Sequence, residues 1–253
     1  MKKVYFITDL HLGATYLEDN KAIERELAGF FDSIKEDAEE IYLLGDILDY
    51  WFEYRHVVPR GFVRFFGKLA ELSDSGIKIT WIIGNHDIWI FDYLPSELGI
   101  EVIDGTVERK ILGTHFLLQH GDAIGGNRKF RFIRSLFRNR YCQKLYSGIH
   151  PRWTVGFAFS WSKRNRLKKK DTGKWPTNLI DEFRKWCNLR IEEGDPAEYF
   201  VFGHLHKYYN ESLLQSRKLI VLPDWPSTKE YGVFDGKDFQ LKQYKGELDM
   251  HNA

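Results

Sequence analysis

The chain has 253 residues, of which 43% are hydrophobic and 29% charged, a composition that supports a packed core and excludes a largely disordered protein. No run of about 20 apolar residues is present, so we expect no transmembrane helix. Its two cysteines suit a reducing compartment, and Asp9 follows the N-terminus too closely for a signal peptide. We therefore expect a cytoplasmic protein with a single domain over residues 1–253.

Short apolar runs alternate with helical stretches along the first half of the chain. Five runs, each rich in β-branched or aromatic residues, predict buried strands at residues 3–9, 41–46, 79–85, 115–122 and 199–204. Helices are predicted near Asp19–Asp37 and Gly61–Ser75. The last 50 residues favour shorter strands and hairpins. Strands that alternate with helices indicate an α/β layered fold.

Residues 123–175 depart from this pattern and predict an inserted, basic and aromatic helical cap. The segment contains 15 Lys or Arg and one acid, Asp171, so it carries about +14 while the rest of the chain carries about −13 (net +1). Apolar residues recur at helical spacing in its first part, namely at Phe130, Ile133, Phe137, Tyr141 and Leu145. A Gly-Ile-His-Pro break separates this helix from a second one. Such charge segregation indicates either an anionic partner or a solvated helical surface.

Polar residues end one predicted strand after another. The residues are Asp9 and His11, Asp46, Asn85 and His86, His120, and His204 and His206. Sites in open α/β sheets form at the carboxyl ends of strands, so we expect these side chains to meet at one edge. Carboxylate, imidazole and amide donors without thiolate suit two first-row divalent cations, and two such cations polarise a phosphoryl group.

In chain order, the blocks DLH (9–11), GD (45–46), GNHD (84–87), HGD (120–122) and GHLH (203–206) resemble the calcineurin-like metallophosphoesterases. The resemblance implies a four-layer α/β/β/α sandwich and a dinuclear centre, most often manganese. It implies that one metal is held by Asp9, His11 and His206, the other by Asn85, His120 and His204, and that Asp46 bridges them. It further implies that His86 contacts the scissile phosphate or protonates the leaving group, with Asp87 orienting His86.

Within that family, the chain is similar to the branch that hydrolyses the pyrophosphate of UDP-2,3-diacylglucosamine in lipid A biosynthesis. The run FITDLHLG (6–13), the insertion after HGD and the stretch SWSKRNRLKKK (160–170) carry this likeness. It implies a UDP-linked acylated sugar substrate, release of UMP, and contact with the inner membrane surface. Substrate contacts are then expected from Asn85, His86, Ser162, Asn165, Lys169 and His204, with Lys168 an equally good match for Lys169. No obligate protein partner is expected.

The chain also departs from that branch at two places. His86 stands where its best-known members have Arg, and GGNRKF (125–130) stands where they have an acidic pair and a Tyr. Three alternatives therefore stay open. One is a hydrolase of another nucleotide-linked or lipid phosphate, and another is a nuclease that uses the cap's basic and aromatic residues. The last is a binding scaffold without turnover, although no ligand position is missing.

Overall fold

The computed structural model describes residues 2–125, 128–158, 160, 164 and 179–246, with side chains of 128–131 left out of the description. Within these residues, eleven strands form two sheets. The first sheet contains β1 (Lys3–Ile7), β2 (Ala38–Leu43), β3 (Lys78–Ile82), β4 (Glu101–Ile103), β10 (Glu230–Phe234) and β11 (Phe239–Gln243). The second contains β5 (Val107–Ile111), β6 (Thr114–Gln119), β7 (Tyr199–Phe202), β8 (Tyr209–Ser212) and β9 (Lys218–Val221).

The strand order is β11-β10-β1-β2-β3-β4 in the first sheet and β5-β6-β7-β9-β8 in the second. Strands β1 to β4 run parallel, as do β6, β7 and β9. Hairpins and antiparallel pairs close the edges. Because parallel neighbours end at the same edge, the loops after β1, β2 and β3 lie together, and so do those after β6 and β7.

Side-chain alternation along the strands divides the interior into three apolar layers. In β1, Tyr5 and Ile7 belong to a core shared with helices, whereas Val4 and Phe6 belong to a core between the sheets. In β7, Val201 joins the core between the sheets, and Phe200 and Phe202 face a third core. This period-two alternation is what a sheet covered on both faces requires. The predicted four-layer α/β/β/α sandwich is confirmed.

The outer layers are amphipathic helices. The first sheet is covered by α1 (Asn20–Ile34), α2 (Val63–Asp74) and α3 (Tyr93–Leu98), and the second by α6 (Leu179–Glu192). A short helix, α7 (Trp225–Thr228), precedes β10. Asp19 caps α1 by accepting a hydrogen bond from the Ala22 amide at 2.9 Å, the usual way to satisfy a free helix N-terminus. Helices α1 and α2 match the prediction, while α3, α6, β4 and β5 were not predicted.

The basic segment contains α4 (Arg128–Arg138), α5 (Arg140–Ser147) and a helical stretch at 151–158. The sequence predicted one helix across α4 and α5, but the chain breaks at Asn139, whose side chain accepts hydrogen bonds from the first amides of α5. The break turns Tyr141 and Leu145 outward, where they are 80% and 76% exposed. The prediction that these two share one apolar stripe with Phe137 is therefore wrong. Among the stripe residues whose side chains the structure describes, Phe137 packs against the core.

Aromatic contacts fix this segment on the loops of the first sheet. Trp89 donates a hydrogen bond to the Phe137 carbonyl at 2.8 Å, and its ring lies 4.6 Å from that of Tyr146. The Tyr54 hydroxyl pairs with that of Thr154 at 2.7 Å. None of the helices within the described residues is long and apolar enough to cross a bilayer. The segment nevertheless exposes several large apolar side chains, namely Phe132, Leu136, Tyr141, Leu145, Ile149, Trp153 and Phe157.

Candidate metal centre

The polar residues predicted from the strand ends meet at one edge of the two sheets. Among the described residues, three groups bring their ligand atoms within 4.8 Å of one another. The groups are Asp9-His11-His206, His11-Asp46-His86, and Asp46-His120-His204. The first and third share no residue, and Asp46 connects the third with the second. The structure thus brings the predicted ligands together as two adjoining sets.

The carboxylate of Asp9 is turned toward the first set by its own hydrogen bonds. Its Oδ2 atom accepts from the Thr8 hydroxyl at 2.8 Å and from the His204 amide at 2.9 Å. Its Oδ1 atom lies 3.2 Å from His206 Nε2 and 3.7 Å from His11 Nε2. This Oδ1 atom is buried without a hydrogen-bond partner. Two nitrogens and one carboxylate oxygen thus converge as they would around a cation.

Asp46 occupies the place between the two sets. Its Oδ1 atom accepts hydrogen bonds from the amides of Asn85 and His86, each at 2.8 Å. Its Oδ2 atom lies 3.4 Å from His120 Nε2 and 3.9 Å from His11 Nε2. One oxygen therefore fixes the side chain, and the other faces a histidine of each set. A carboxylate oriented in this way can bridge two cations.

His120 is oriented as a metal ligand needs. Its Nδ1 atom lies 2.8 Å from the Leu44 carbonyl oxygen, so Nδ1 carries a proton and Nε2 is the atom left to bind a cation in exchange for its own proton. His120 Nε2 and Asn85 Oδ1 are both buried without a hydrogen-bond partner. Such buried polar atoms are costly unless something binds them. The donor set therefore fits hard or borderline divalent cations.

The electrostatics of the cluster reflect carboxylates packed against imidazoles. Burial alone would lower the pKa of His120, but the Asp46 carboxylate raises it to about 10. His204 behaves in the opposite way, because burial and the neighbouring His120 lower its pKa to about 4. The pKa of Asp46 lies well below its usual range because its burial is outweighed by the surrounding histidines. The carboxylates are therefore ionised at neutral pH and available to cations.

The backbone at the site is strained at five of the predicted ligands. Left-handed φ angles occur at Asp9 (52°), His11 (45°), Asp46 (52°), His204 (67°) and His206 (53°). Non-glycine residues with such angles are uncommon, and their cost is of order 1–3 kcal/mol each. Each of them lies in a loop that follows a strand of the parallel core. These left-handed backbone conformations direct the five side chains toward one point.

Two glycines make room for the carboxylates. A Cβ atom at Gly84 would collide with Asp46 Oδ1, and one at Gly203 would collide with Thr8 Oγ1 and approach Asp9 Oδ2 at 2.7 Å. At Gly84, the group that approaches the backbone is the carboxylate of Asp46. Glycine is needed wherever another group approaches the backbone so closely.

His86 lies at the open side of the site, with its side chain 27% exposed. Its Nδ1 atom lies 3.0 Å from the Asp49 carbonyl oxygen and 3.3 Å from the Asp49 carboxylate. Burial alone would lower the pKa of His86, but the Asp46 and Asp49 carboxylates raise it to about 9. His86 is therefore protonated at neutral pH in the metal-free chain.

The prediction that Asp87 orients His86 is wrong. The Asp87 carboxylate is fully buried and accepts from the Gly84 amide at 2.7 Å, the Ile47 amide at 2.9 Å and the Trp81 indole at 3.1 Å. Burial, followed by the Asp46 charge, raises its pKa to about 6. Asp87 therefore fixes the loops after β2 and β3 to each other instead of touching the imidazole.

Asp49 is the site residue that the sequence analysis missed. Its carboxylate faces two imidazoles, at 3.3 Å from His86 Nδ1 and 3.4 Å from His11 Nδ1. Asp49 follows Asp46 by three residues, inside the apolar run ILDYW, so it does not end a strand as the other site residues do. The sequence signal that could have identified Asp49 as a site residue is its position as a second carboxylate so soon after Asp46.

A cavity of about 300 Å³ opens beside His86 and Asn85. Its charged lining residues include Asp122, Arg134 and Arg138. Its apolar and aromatic lining comes from both the core and the basic segment, namely Tyr50, Ile88, Trp89, Ile133, Phe137, Tyr146, Phe157 and Ala158. The predicted substrate contacts Ser162, Asn165 and Lys169 lie outside the described residues.

The chain is similar to several known proteins. The calcineurin-like phosphoesterase family model matches residues 2–208, a range that contains every predicted ligand from Asp9 to His206. The UDP-2,3-diacylglucosamine hydrolase of Porphyromonas gingivalis is 39% identical, covering 95% of this chain and 97% of that protein. A Neisseria meningitidis protein of the same name is 26% identical, covering 89% and 90%. A dimetal phosphatase from Danio rerio is 13% identical, covering 96% and 99%, with a TM-score of 0.46.

Proposed function

We propose a specific substrate for this chain, which belongs to the calcineurin-like phosphoesterase family, as its motifs predicted. Members of this family are metal-dependent hydrolases of phosphoesters or pyrophosphates, and so is this chain. The proposed reaction is hydrolysis of the pyrophosphate of UDP-2,3-diacylglucosamine. The products are UMP and 2,3-diacylglucosamine 1-phosphate, in lipid A biosynthesis. The observation that carries the proposal is the 39% identity, over nearly the full length of both chains, to a UDP-2,3-diacylglucosamine hydrolase.

The proposed metal ligands are Asp9, His11 and His206 for one cation, and Asn85, His120 and His204 for the other, with Asp46 between them. The orphaned, buried atoms Asp9 Oδ1, Asn85 Oδ1 and His120 Nε2 support this assignment. Oxygen and imidazole donors without thiolate suit Mn²⁺, which is the cation we propose. When bound, two divalent cations neutralise charge on the phosphoryl oxygens and lower the pKa of coordinated water.

His86 has the proton-bearing role in this proposal. With its Nδ1 atom held by Asp49 and its pKa raised, the imidazolium donates a hydrogen bond to the scissile phosphate or a proton to the leaving group. Arg occupies this position in the best-known lipid enzymes, and a protonated His supplies the same positive charge. Asp87 has no direct part in the reaction in this proposal.

The basic segment has two roles in substrate binding. Its apolar side chains, together with Trp89 and Tyr50, form a cavity wall that suits an acyl chain, and the cavity reaches the metal centre at His86. We assign Ser162, Asn165 and Lys169 to the polar part of the substrate, with Asn85 and His204 at the phosphate. Residues 123–175 then act as the cap, and the Lys and Arg of its stretch 160–170 attract the diphosphate.

The same segment supports peripheral contact with the inner membrane surface. Its exposed side chains include Trp153 at 72% and Phe157 at 61% exposure, beside many basic residues. Apolar side chains flanked by Lys and Arg favour an anionic bilayer surface, where a diacylated substrate resides. The proposal therefore places the protein in the cytoplasm, on the inner face of that membrane.

The proposal is tested by incubating the purified protein with UDP-2,3-diacylglucosamine and following UMP by chromatography. We expect UMP release that requires Mn²⁺ and stops with a chelator. Hydrolysis of a nitrophenyl phosphodiester without UMP release would refute the lipid substrate and retain a phosphodiesterase. Cleavage of DNA with steep salt dependence of binding would favour the nuclease alternative instead.

A further inference from the structure

Arg138, the last residue of α4, reaches three loops that belong to the two different sheets. Its Nε atom donates to both carboxylate oxygens of Asp104 at 3.0 Å, in the turn after β4. Its Nη2 atom donates to the Gly84 carbonyl at 3.2 Å, in the loop after β3, and lies 3.6 Å from Asp122 Oδ2, in the loop after β6. The side chain is only 15% exposed.

Two of these loops carry proposed metal ligands. Gly84 directly precedes Asn85, and Asp122 follows His120 by two residues. Asp122 is 3% exposed and also accepts from Arg134 Nε at 2.7 Å. Two arginines of one helix of the basic segment thus attach that helix to the loops that bear ligands of the second cation.

The loop after β3 is also held by groups of the core and, at Trp89, by a hydrogen bond to the Phe137 carbonyl of the basic segment. Asp87 accepts from the Gly84 amide, and Asp46 Oδ1 accepts from the amides of Asn85 and His86. The Gly84 carbonyl is the point at which this loop receives a hydrogen bond from the basic segment. The peptide that leads into Asn85 thus contacts α4 at its carbonyl oxygen and the core carboxylate of Asp46 at its amide.

We propose that Arg138 is a positioning residue that couples the docking of α4 to the geometry of the second metal site. A planar guanidinium presents several donors in a fixed fork, so one side chain can donate to Asp104 and to the Gly84 carbonyl while its charge faces Asp122. Lys, with a point charge on a flexible chain, cannot reproduce this arrangement. Loss of the fork leaves Asn85 and His120 on loops that are less tightly fixed relative to each other.

The inference rests on the proposed metal ligands but not on the lipid substrate, so it is tested without that substrate. The variants are Arg138→Ala and Arg138→Lys, and the matched control is Arg140→Ala, which removes the same charge from an exposed position in the adjacent helix. Hydrogen exchange of the metal-free protein reports on the amides of Gly84, Asn85 and His86. Titration calorimetry with Mn²⁺ alone reports on metal affinity.

For Arg138→Ala we expect faster exchange at these three amides and Mn²⁺ affinity lowered by about 10-fold or more, the usual effect of losing an outer contact of a metal site. On a soluble nitrophenyl phosphodiester at saturating Mn²⁺, kcat should fall with little change in KM. Arg140→Ala should match the wild type in all three measurements. If Arg138→Ala also matches it, the coupling is refuted.

The conservative variant covers the case in which Arg138→Ala does not fold. Arg138→Lys keeps the positive charge and should still show faster exchange and weaker Mn²⁺ binding than Arg140→Ala. Full wild-type behaviour of Arg138→Lys would overturn the proposal, because the charge alone would then suffice. Absence of UMP release from the lipid substrate would refute the proposed function and leave these results standing.

Discussion

Replacing Asp49 by Asn should slow turnover far more than it lowers stability, because its carboxylate supports two imidazoles of the site. Asn is nearly the same size but lacks the negative charge that lies 3.3 Å from His86 Nδ1 and 3.4 Å from His11 Nδ1. Asn keeps the hydrogen bond between His86 Nδ1 and the backbone carbonyl of residue 49, so the loss is that of the two ion-pair contacts. We set this loss at about 1.5–3 kcal/mol, the range for a polar contact with a charged group. Since 1.36 kcal/mol is about tenfold in rate, kcat/KM should fall about 10- to 100-fold.

The control for Asp49→Asn is Asp87→Asn, which makes the same change at a nearby buried carboxylate that does not touch His86. Its one remaining oxygen can accept from Ile47 and Trp81, so the Gly84 amide faces an amide NH₂ group and loses its acceptor. An unsatisfied buried donor costs about 1–3 kcal/mol. A chain of this size loses about 2–4 °C in Tm for each kcal/mol.

Both variants are assayed by steady-state hydrolysis of a soluble nitrophenyl phosphodiester with saturating Mn²⁺, and by thermal unfolding. Asp49→Asn should show the larger loss of kcat/KM, and Asp87→Asn the larger loss of Tm. The opposite result, with wild-type kcat/KM in Asp49→Asn and a severe activity loss without a Tm change in Asp87→Asn, would refute the assignment of Asp49 as the residue that orients His86.

Three further outcomes are expected. Asp46→Ala should abolish turnover and most Mn²⁺ binding, as measured by kinetics and calorimetry, because one carboxylate serves both metal sets; retained activity would overturn the bridge. Mn²⁺ affinity should rise from pH 6 to pH 8, with protons released on binding, because the pKa of His120 near 10 keeps it protonated until a cation displaces the proton; pH-independent affinity would contradict this. Trp153→Ser should lower the fraction of protein that co-sediments with anionic lipid vesicles and leave soluble-ester hydrolysis unchanged. Unaltered vesicle binding would exclude this side chain from the membrane contact.

Local signals in the sequence predicted the elements that have strong periodicity and clear ends. The helix over Asn20–Ile34 has an acid at its cap and a regular apolar face, and the five strand runs are short, apolar and ended by polar residues. The break at Asn139 was missed because helical spacing of apolar residues continued through it. Capping by an Asn side chain then decided where one helix ended and the next began.

By itself, the sequence determined the family and the residues that gather at the edge of the sheets, because those residues follow strands whose parallel pairing brings their ends together. It could not decide which carboxylate supports His86. Asp87 is adjacent to His86 in the chain, but its side chain turns into the core and fixes two loops. Asp49 comes from another loop, and only the packing of that loop beside β3 brings it to the imidazole. Adjacency in sequence fixes where the backbone passes, whereas side-chain partners are set by contacts between loops that only the folded chain makes.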